Sequence, residues 1–398
     1  MIYLARLSTL FALLIFAMAC PAADEGGEGE GEGEGEGEGE GEGESCGDGV
    51  AAVGELCLGD VVSGAAPNGS TSAMAVGDLD GDTVPDVVVL DQVGERVGVV
   101  LDPFATPGAA QTFFPTSNQP LAITIGLVND DANLDVLVKA GLVIELLAGD
   151  GDGAFLPATT AVDNALDFFA LALGDLNGDA FVDLALGSLS SLTVAFGTAG
   201  GTFAVPVEVS PAEVRSITIA DVNGDDDADL IVSGGDTLLL FLGDGAGAFT
   251  AGATVTVGAF VGGALVGQSV FADVNGDGNR DVVAVTLFGG AAEVFVGDGL
   301  GGFGPSIPTG LVGANPTGLA AADLDDDGIE DIVVTGSSNV IEVLRGSLTG
   351  LVYFESIFPG NSFFNSVNLA DVNDDDRLDI LVASSVDEAS VWIVPQTP

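Results

Sequence analysis

The stretch that decides the fold is Asp273-Val-Asn-Gly-Asp-Gly-Asn-Arg-Asp281, which runs directly into Val282-Val-Ala-Val285. An acidic nine-residue loop is thus followed at once by a continuous apolar run rich in β-branched residues, a pattern typical of a buried β-strand. We number the loop positions 1 to 9 from the first Asp to the last. The glycines at positions 4 and 6, Gly276 and Gly278, permit the positive φ angles that a tightly wound loop requires.

The same loop recurs along the chain at nearly constant spacing. Six copies carry Asp at position 1, and a seventh, weaker copy at 127–135 begins with Leu127 instead. The copies start at residues 78, 127, 175, 221, 273, 323 and 371, with successive spacings of 49, 48, 46, 52, 50 and 48. A period near fifty with strand-like sequence on both sides of each loop predicts a β-propeller or a solenoid.

The composition of the loop predicts a binding site for a hard cation. Ca²⁺ prefers six to eight oxygen ligands, and side chains at positions 1, 3 and 5, the backbone carbonyl of position 7 and the carboxylate of position 9 would supply them. Without a cation, carboxylates held this close repel one another. The helical calcium motifs, the EF-hand and the dockerin loop, do not fit because position 9 is followed by strands rather than by a helix.

Each unit supplies further strands after the loop. A third strand is predicted from residues such as Val143-Ile-Glu-Leu-Leu147 and Thr237-Leu-Leu-Leu-Phe241. Several of these strands end in a Gly-rich turn that an aromatic residue closes. We expect these aromatic residues to wedge between neighbouring units: Phe155, Phe203, Phe249 and Phe303.

Charge and composition exclude several classes of function. The chain has 61 acidic residues against 7 Lys and Arg, a formal net charge of −54, and no His. Nucleic-acid binding depends on Lys and Arg that displace counterions from phosphates, so it is excluded, and anionic membrane surfaces are disfavoured for the same reason. Catalytic triads with an imidazole base and His-ligated zinc are unavailable without His.

The N-terminal segment predicts export. Residues 1–19 contain Arg6 and an apolar run that ends in Ala17-Met18-Ala19, which reads as a signal peptide too short to cross a bilayer. Cleavage before Cys20 resembles processing at a bacterial lipobox, although Ala17 stands where Leu is usual. Ordinary secretion is the alternative. Residues 20–45 are expected to form an acylated Cys20 followed by a disordered linker, because residues 25–44 are an almost pure Gly-Glu repeat.

Two cysteines open the predicted folded part at residues 46–398. Cys46 and Cys57 are expected to pair as a disulfide in an oxidising compartment, with two free surface thiols as the alternative.

The repeats resemble FG-GAP/VCBS repeats, the blades of the integrin α-subunit propeller and of many bacterial exported proteins, over about residues 55–398. The resemblance implies an all-β fold, a seven-bladed β-propeller of four-stranded antiparallel blades with calcium-binding loops. It also implies six to seven structural Ca²⁺ ions, with blade 2 in doubt. The implied ligands are Asp78, Asp80, Asp82 and Asp86; Asn129, Asp131 and Asp135; Asp175, Asn177, Asp179 and Asp183; Asp221, Asn223, Asp225 and Asp229; Asp273, Asn275, Asp277 and Asp281; Asp323, Asp325, Asp327 and Asp331; and Asp371, Asn373, Asp375 and Asp379.

The chain ends soon after the third strand of the seventh unit, so that blade lacks one strand. We expect residues 55–62 to complete it and to close the ring, which removes the free sheet edges.

The expected function is a non-enzymatic, calcium-binding surface lipoprotein that recognises an extracellular protein or glycan. We expect it at the bacterial outer membrane or cell surface, held only by its lipid anchor, with free secretion as the alternative. The ligand would bind loops on the face opposite the calcium loops, where Phe168, Phe169, Phe363 and Phe364 either offer a binding surface or simply pack between blades. Two other functions remain open: a calcium-assisted polysaccharide lyase or hydrolase, and a purely structural acidic surface protein.

Overall fold

The computed structural model describes residues 56–59, 61–65, 71–105, 112–117, 119–163, 165, 168–257, 266–286, 290–311, 315–337, 339–358, 363–384 and 389–396. The predicted signal peptide, the Gly-Glu spacer, Cys20 and Cys46 lie outside these residues. Every regular element of the described chain is a β-strand, and no helix in it could cross a membrane.

Thirty strands follow one another along the described chain. They are β1 (Val62–Ala65), β2 (Thr71–Gly77), β3 (Asp86–Asp91), β4 (Arg96–Val100), β5 (Thr112–Pro115), β6 (Pro120–Gly126), β7 (Asp135–Ala140), β8 (Val143–Leu147), β9 (Thr159–Val162), β10 (Phe168–Gly174), β11 (Asp183–Ser188), β12 (Leu192–Ala195), β13 (Gly197–Thr198), β14 (Thr202–Phe203), β15 (Val207–Ser210), β16 (Ser216–Ala220), β17 (Asp229–Gly234), β18 (Thr237–Gly243), β19 (Phe249–Thr256), β20 (Val266–Ala272), β21 (Asp281–Thr286), β22 (Ala291–Phe295), β23 (Ile307–Leu311), β24 (Pro316–Ala322), β25 (Asp331–Gly336), β26 (Ile341–Arg345), β27 (Val352–Ile357), β28 (Phe364–Ala370), β29 (Asp379–Ser384) and β30 (Ala389–Val394).

These strands form seven four-stranded antiparallel sheets, which are the blades of a β-propeller, as predicted. In chain order the sheets are β2-β3-β4-β5, β6-β7-β8-β9, β10-β11-β12-β15, β16-β17-β18-β19, β20-β21-β22-β23, β24-β25-β26-β27 and β28-β29-β30-β1, and we call them blades 1 to 7. A small extra hairpin, β13-β14, is the Gly-rich turn of blade 3. The first strand of each blade contacts the first strand of the next, and β28 contacts β2, so the ring is closed.

The second strand of every blade is buried along its whole length, from β3 in blade 1 to β29 in blade 7. The continuous apolar runs after each loop therefore form buried strands, as predicted, because neighbouring blades cover both faces. The core is divided into seven hydrophobic clusters, one at each interface between adjacent blades. No single blade has a core of its own, so each one is stabilised by its neighbours.

The aromatic residues of the Gly-rich turns pack into these clusters, as predicted. Phe155 of blade 2 is 7% exposed and meets Phe114 of blade 1 edge to face, with ring centroids 5.1 Å apart. The other three pack against the interfaces between blades 2 and 3, 3 and 4, and 4 and 5: Phe203, Phe249 and Phe303.

The seventh blade takes its outer strand from the N-terminal side of the propeller, because β1 pairs with β30 and places Val62 opposite Ile393. The pairing strand is Val62–Ala65, which begins later than the range 55–62 expected for it and shares only Val62 with that range. The earlier residues Leu56 and Cys57 are instead buried, at 5% and 1% exposure, and Leu56 packs between blades 6 and 7. Their apolar side chains are used in the core rather than in the sheet, and only Leu58 makes a single bridge, to Gln396.

Candidate metal-binding loops

Each acidic loop connects the first strand of a blade to the second in the same register. Position 9 is the first residue of the second strand, and it pairs with a small residue, Gly or Ala, at the end of the first strand. The seven loops therefore all lie at the same ends of their blades, on one face of the propeller. The first strands begin at the opposite face.

The position-9 carboxylate is buried and accepts two backbone hydrogen bonds in every blade. One oxygen accepts the N–H of position 2, and the other accepts an N–H at or just after the end of the third strand. In blade 3, for example, Asp183 accepts from Leu176 at 2.8 Å and from Gly197 at 2.7 Å. We call this pair of bonds the carboxylate clasp. The seven clasp residues are Asp86, Asp135, Asp183, Asp229, Asp281, Asp331 and Asp379, and none is more than 1% exposed.

The clasp explains glycines that the sequence analysis assigned only to tight turns. A Cβ on Gly197 would lie 2.1 Å from the carbonyl oxygen of Val182, and one on Gly297 would lie 2.1 Å from that of Arg280. In these blades glycine lets the third strand approach the loop closely enough for its N–H to reach the clasp carboxylate, whereas blades 1 and 7 use the N–H groups of Asp102 and Gln396. Because the donor is a backbone group, only the spacing of these glycines from the loop could have signalled the contact.

Position 1 winds the loop in the six blades that carry Asp there. One carboxylate oxygen accepts the backbone N–H of position 6 at 2.8–3.0 Å, as Asp175 does from Ala180. In the same six blades positions 4 and 6 both have positive φ, at Gly and non-Gly residues alike. The expectation for Gly276 and Gly278 is correct, with φ of 69° and 84°.

The loop of blade 2 is different. Leu127 offers no oxygen at position 1, and neither Asp130 nor Ala132, at positions 4 and 6, has a positive φ. The loop keeps the hydrogen bonds accepted by positions 3 and 5, which run from the backbone N–H of Asp131 to Asn129 and from that of Asn133 to Asp131. The clasp of Asp135 is intact, so the blade keeps its strand connection without the wound loop.

The carboxylates converge most closely in blades 1 and 6. One oxygen each of Asp78, Asp80 and Asp86 lies within 4.8 Å of the other two, and the same holds for Asp323, Asp325 and Asp327. Two oxygens on opposite sides of a Ca²⁺ ion are separated by about 4.6–5.2 Å, so this spacing fits a shared cation. A clasp oxygen that accepts one N–H still has a second lone pair for a metal. The residues present therefore fit Ca²⁺ in chemistry and in spacing.

Position 3 divides the loops into two kinds. It is Asp80 and Asp325 in blades 1 and 6, and Asn in the other five. In three of those five, the Asn amide donates to the clasp carboxylate, which relieves the repulsion that a second carboxylate would cause. These three amides are those of Asn129, Asn275 and Asn373.

Burial raises the pKa of every clasp carboxyl, while its two backbone hydrogen bonds lower it and the neighbouring loop carboxylates raise it further. The pKa rises to about 6 for Asp86, Asp281 and Asp379, and to about 7 for Asp331. Ionisation of the clasp carboxyl therefore costs more in the metal-free folded protein than in the unfolded chain. A bound cation would reduce this cost.

The other predicted site residues lie as follows. Cys57 is disulfide-bonded, and its predicted partner Cys46 lies outside the described residues. Of the four aromatic residues expected at the opposite face, Phe364 is fully buried between blades 6 and 7, Phe168 packs between blades 2 and 3, and Phe363 is 46% exposed. The side chain of Phe169 is not among those described.

The face opposite the loops holds a polar cavity at the mouth of the central channel. Its volume is about 540 Å³, and residues from five blades line it. The polar lining residues are Ser72, Gln92, Arg215, Gln268, Thr317 and Asn365. Arg215 pairs with Glu213 at 2.7 Å, and the seven first strands, which surround the channel, contain no Asp or Glu.

Two alanine substitutions in blade 4 separate the clasp from the outer ligand positions. Asp229→Ala leaves two buried N–H groups unpaired, so we expect it to lower the free energy of unfolding of the metal-free protein by about 2–4 kcal/mol. Asp225→Ala removes the same charge from exposed position 5 and should cost much less. Urea unfolding in metal-free buffer measures both. Equal losses would contradict the clasp.

The raised pKa values predict how stability depends on pH without metal. Between about pH 4, where unfolded carboxyls titrate, and pH 7, the folded protein binds more protons than the unfolded chain, so its stability increases as the pH falls. Protein stripped of divalent ions on a chelating resin should melt at a higher temperature at pH 5.5 than at pH 8. Asp331→Asn removes the group with the largest shift and should flatten this dependence. A melting temperature that falls between pH 8 and pH 5.5 would refute the assignment.

Comparison with known proteins gives the repeat type and the fold. A family model described as an FG-GAP-like repeat matches residues 175–232, 221–284, 273–334 and 323–382. No curated protein matches the sequence.

Solved structures resemble the whole propeller at low sequence identity. Two are crystal structures of BBS1N in complex with ARL6DN, one soaked with lead (TM-score 0.59, 12% identity, 85% of this chain and 95% of that one) and one soaked with mercury (0.60, 13%, 88% and 98%). A third concerns specific recognition of non-reducing terminal N-acetylglucosamine by an Agrocybe aegerita lectin (0.56, 18%, 73% and 81%). At these identities the likeness extends to the fold alone.

Proposed function

Because the chain belongs to the FG-GAP-like repeat family, we propose that it is a non-enzymatic binding module whose blades are stabilised by Ca²⁺. The single observation behind the calcium half of the proposal is the repeated loop, in which wound acidic residues surround a clasp carboxyl of raised pKa. Ca²⁺ would be held by positions 1, 3, 5 and 9 in the blades with Asp at position 1, and the loop of blade 6, which Arg345 contacts, is treated separately below. When bound, it would supply positive charge to carboxylates that otherwise repel one another.

Calcium has a structural role in this proposal. The loops join strands within each blade and lie on the face opposite the polar cavity. Extracellular calcium modules typically have Kd values of about 10⁻⁴–10⁻³ M, so millimolar calcium would occupy such loops. Each occupied site would then add about 1–3 kcal/mol through mass action at 10 to 100 times its Kd.

Chelation tests the calcium half directly. We expect the melting temperature at pH 7.5 to fall sharply when EDTA replaces 10 mM CaCl₂, because the freed carboxylates repel one another and the ions no longer favour the folded state. Circular dichroism measures the transition, and excess Ca²⁺ added back to the chelated sample should restore it. MgCl₂ at the same concentration is the control for ionic strength. An identical melting temperature with and without calcium would contradict the proposal.

The recognition half of the proposal concerns the opposite face. A cavity of about 540 Å³ lies within the size range of small-ligand sites, and its lining offers amides, hydroxyls and one guanidinium. The side-chain amides of Gln92 and Gln268 make no hydrogen bond to another described residue, so they are available to a ligand. The one charged lining residue, Arg215, is paired with Glu213, so the lining favours a neutral hydroxyl-rich group, such as a glycan end, over an anion that the net charge of −54 would repel.

Residues 46–398, loaded with calcium, should therefore bind specific members of a glycan and extracellular-protein array. Gln268→Ala at the channel mouth should weaken binding at least tenfold, because it removes a hydrogen-bonding amide from the site. Thr250→Ala, an exposed position on the outer strand of blade 4, is the matched control and should bind normally. An array without specific hits would favour a purely structural surface protein, and polysaccharide cleavage in the same samples would favour a lyase or hydrolase.

Surface attachment through an acylated Cys20 belongs to the same proposal. A lipid anchor followed by the Gly-Glu spacer would display the propeller away from the membrane. Mass spectrometry of the mature N-terminus tests it, since a diacylated Cys20 and an unmodified N-terminus differ by the mass of the lipid.

A further inference from the structure

In one blade a basic residue lies beside the acidic loop. In each blade, the residue just before the N–H that binds the clasp carboxylate lies at the end of the third strand, beside the loop. Six blades place an uncharged residue there, and blade 6 places Arg345. The equivalent residues are Leu101, Ala148, Phe196, Leu242, Val296, Arg345 and Pro395.

Arg345 reaches into the carboxylate cluster of blade 6. Its Nη2 forms an ion pair with Oδ2 of Asp325 and lies 3.9 Å from Oδ2 of Asp327, so it contacts positions 3 and 5 of the loop. Asp325 is fully buried, whereas position 3 is partly exposed in the other six loops. The guanidinium also lies over the ring of Phe354, at 5.7 Å, which helps to hold it in place.

Blade 1 is the natural comparison, because it has the same carboxylates at positions 1, 3, 5 and 9. There the equivalent of Arg345 is Leu101, which carries no charge. The two blades with an extra carboxylate at position 3 thus differ in how it is neutralised. In blade 6 the chain supplies the positive charge, and in blade 1 it does not.

Two further arginines meet the same loop from the neighbouring blades. Arg280 of blade 5 forms an ion pair with Glu330 at position 8, and Arg377 of blade 7 lies 3.9 Å from Asp326 at position 4. Three of the chain's 7 Lys and Arg residues therefore contact one of seven acidic loops. This concentration is unexpected for so few basic residues, and it reinforces the local neutralisation by Arg345.

We propose that Arg345 is the permanent counter-ion of the blade 6 loop and takes the place of a calcium ion there. A divalent cation among Asp323, Asp325 and Asp327 would have to displace a guanidinium that is already paired with a buried carboxylate, and the two positive charges would repel each other. The carboxylates of the blade 6 loop are then neutralised without metal, while those of the blade 1 loop depend on metal for their neutralisation. This inference rests on the proposed calcium binding of the other loops.

The test is a count of bound calcium ions in a matched set of variants. Arg345→Leu introduces the residue that blade 1 has at the equivalent position. Leu101→Arg makes the reverse exchange in blade 1. Equilibrium dialysis against millimolar ⁴⁵Ca²⁺ should give one ion more than wild type for Arg345→Leu and one ion fewer for Leu101→Arg. Arg96→Leu, which removes an arginine that pairs with Asp91 away from the loops, should leave the count unchanged.

Metal-free melting provides a second readout. Arg345→Leu should melt at a lower temperature than wild type without calcium and should gain more from added calcium. If Arg345→Leu folds only with calcium present, that requirement itself supports the inference. An equal, non-zero count in wild type, Arg345→Leu and Leu101→Arg would overturn the inference alone. No bound calcium in any of them would refute the proposed calcium function, and the inference with it.

Discussion

A buried carboxylate that accepts two backbone N–H groups is the interaction on which every blade depends. The clasp joins three parts of a blade at one point: the start of the loop, the start of the second strand and the end of the third strand. It is formed in all seven blades, including blade 2, where the rest of the loop has diverged. The wound acidic loop is therefore an addition to the clasp, since a blade can keep its strand connection without it.

This arrangement brings carboxylates close together, and the loops differ in how the repulsion between them is reduced. Burial and neighbouring carboxylates raise the pKa of the clasp group. In blades 2, 5 and 7 the position-3 side chain is an amide that donates a hydrogen bond to the clasp carboxylate, so it adds no further repulsion. In blade 6 an arginine contacts the loop, whereas blade 1 retains three converging carboxylates with no basic residue at the position of Arg345. Sequence variation among the repeats is thus partly a variation in the source of positive charge.

Much of the fold could be predicted from the sequence because its signals are local. The loop spacing gave seven blades, and the apolar runs after position 9 gave the buried second strands. The outer strands were harder, since β5 and β9 are short and mostly exposed and carry no clear pattern. The closing strand was placed too early because Leu56 and Cys57 look like strand residues but belong to the core. The hydrogen bonds of the clasp could not be predicted, because every residue except proline has a backbone N–H and the sequence does not show which ones donate. The role of Arg345 could not be predicted either, because it depends on a contact between residues that are distant in the sequence.

The closure of blade 7 has a consequence for how the chain is made. Strand β1 is synthesised before the other described strands of the propeller, yet its partner β30 is synthesised after all of them. Until then β1 has no sheet to join, and the two end blades present unpaired surfaces that favour association with other chains. Ring formation must therefore wait until β30 has been made, and pairing between residues so far apart in the sequence favours slow folding. Early termination of synthesis would leave an open set of blades that tends to aggregate, rather than a smaller closed propeller.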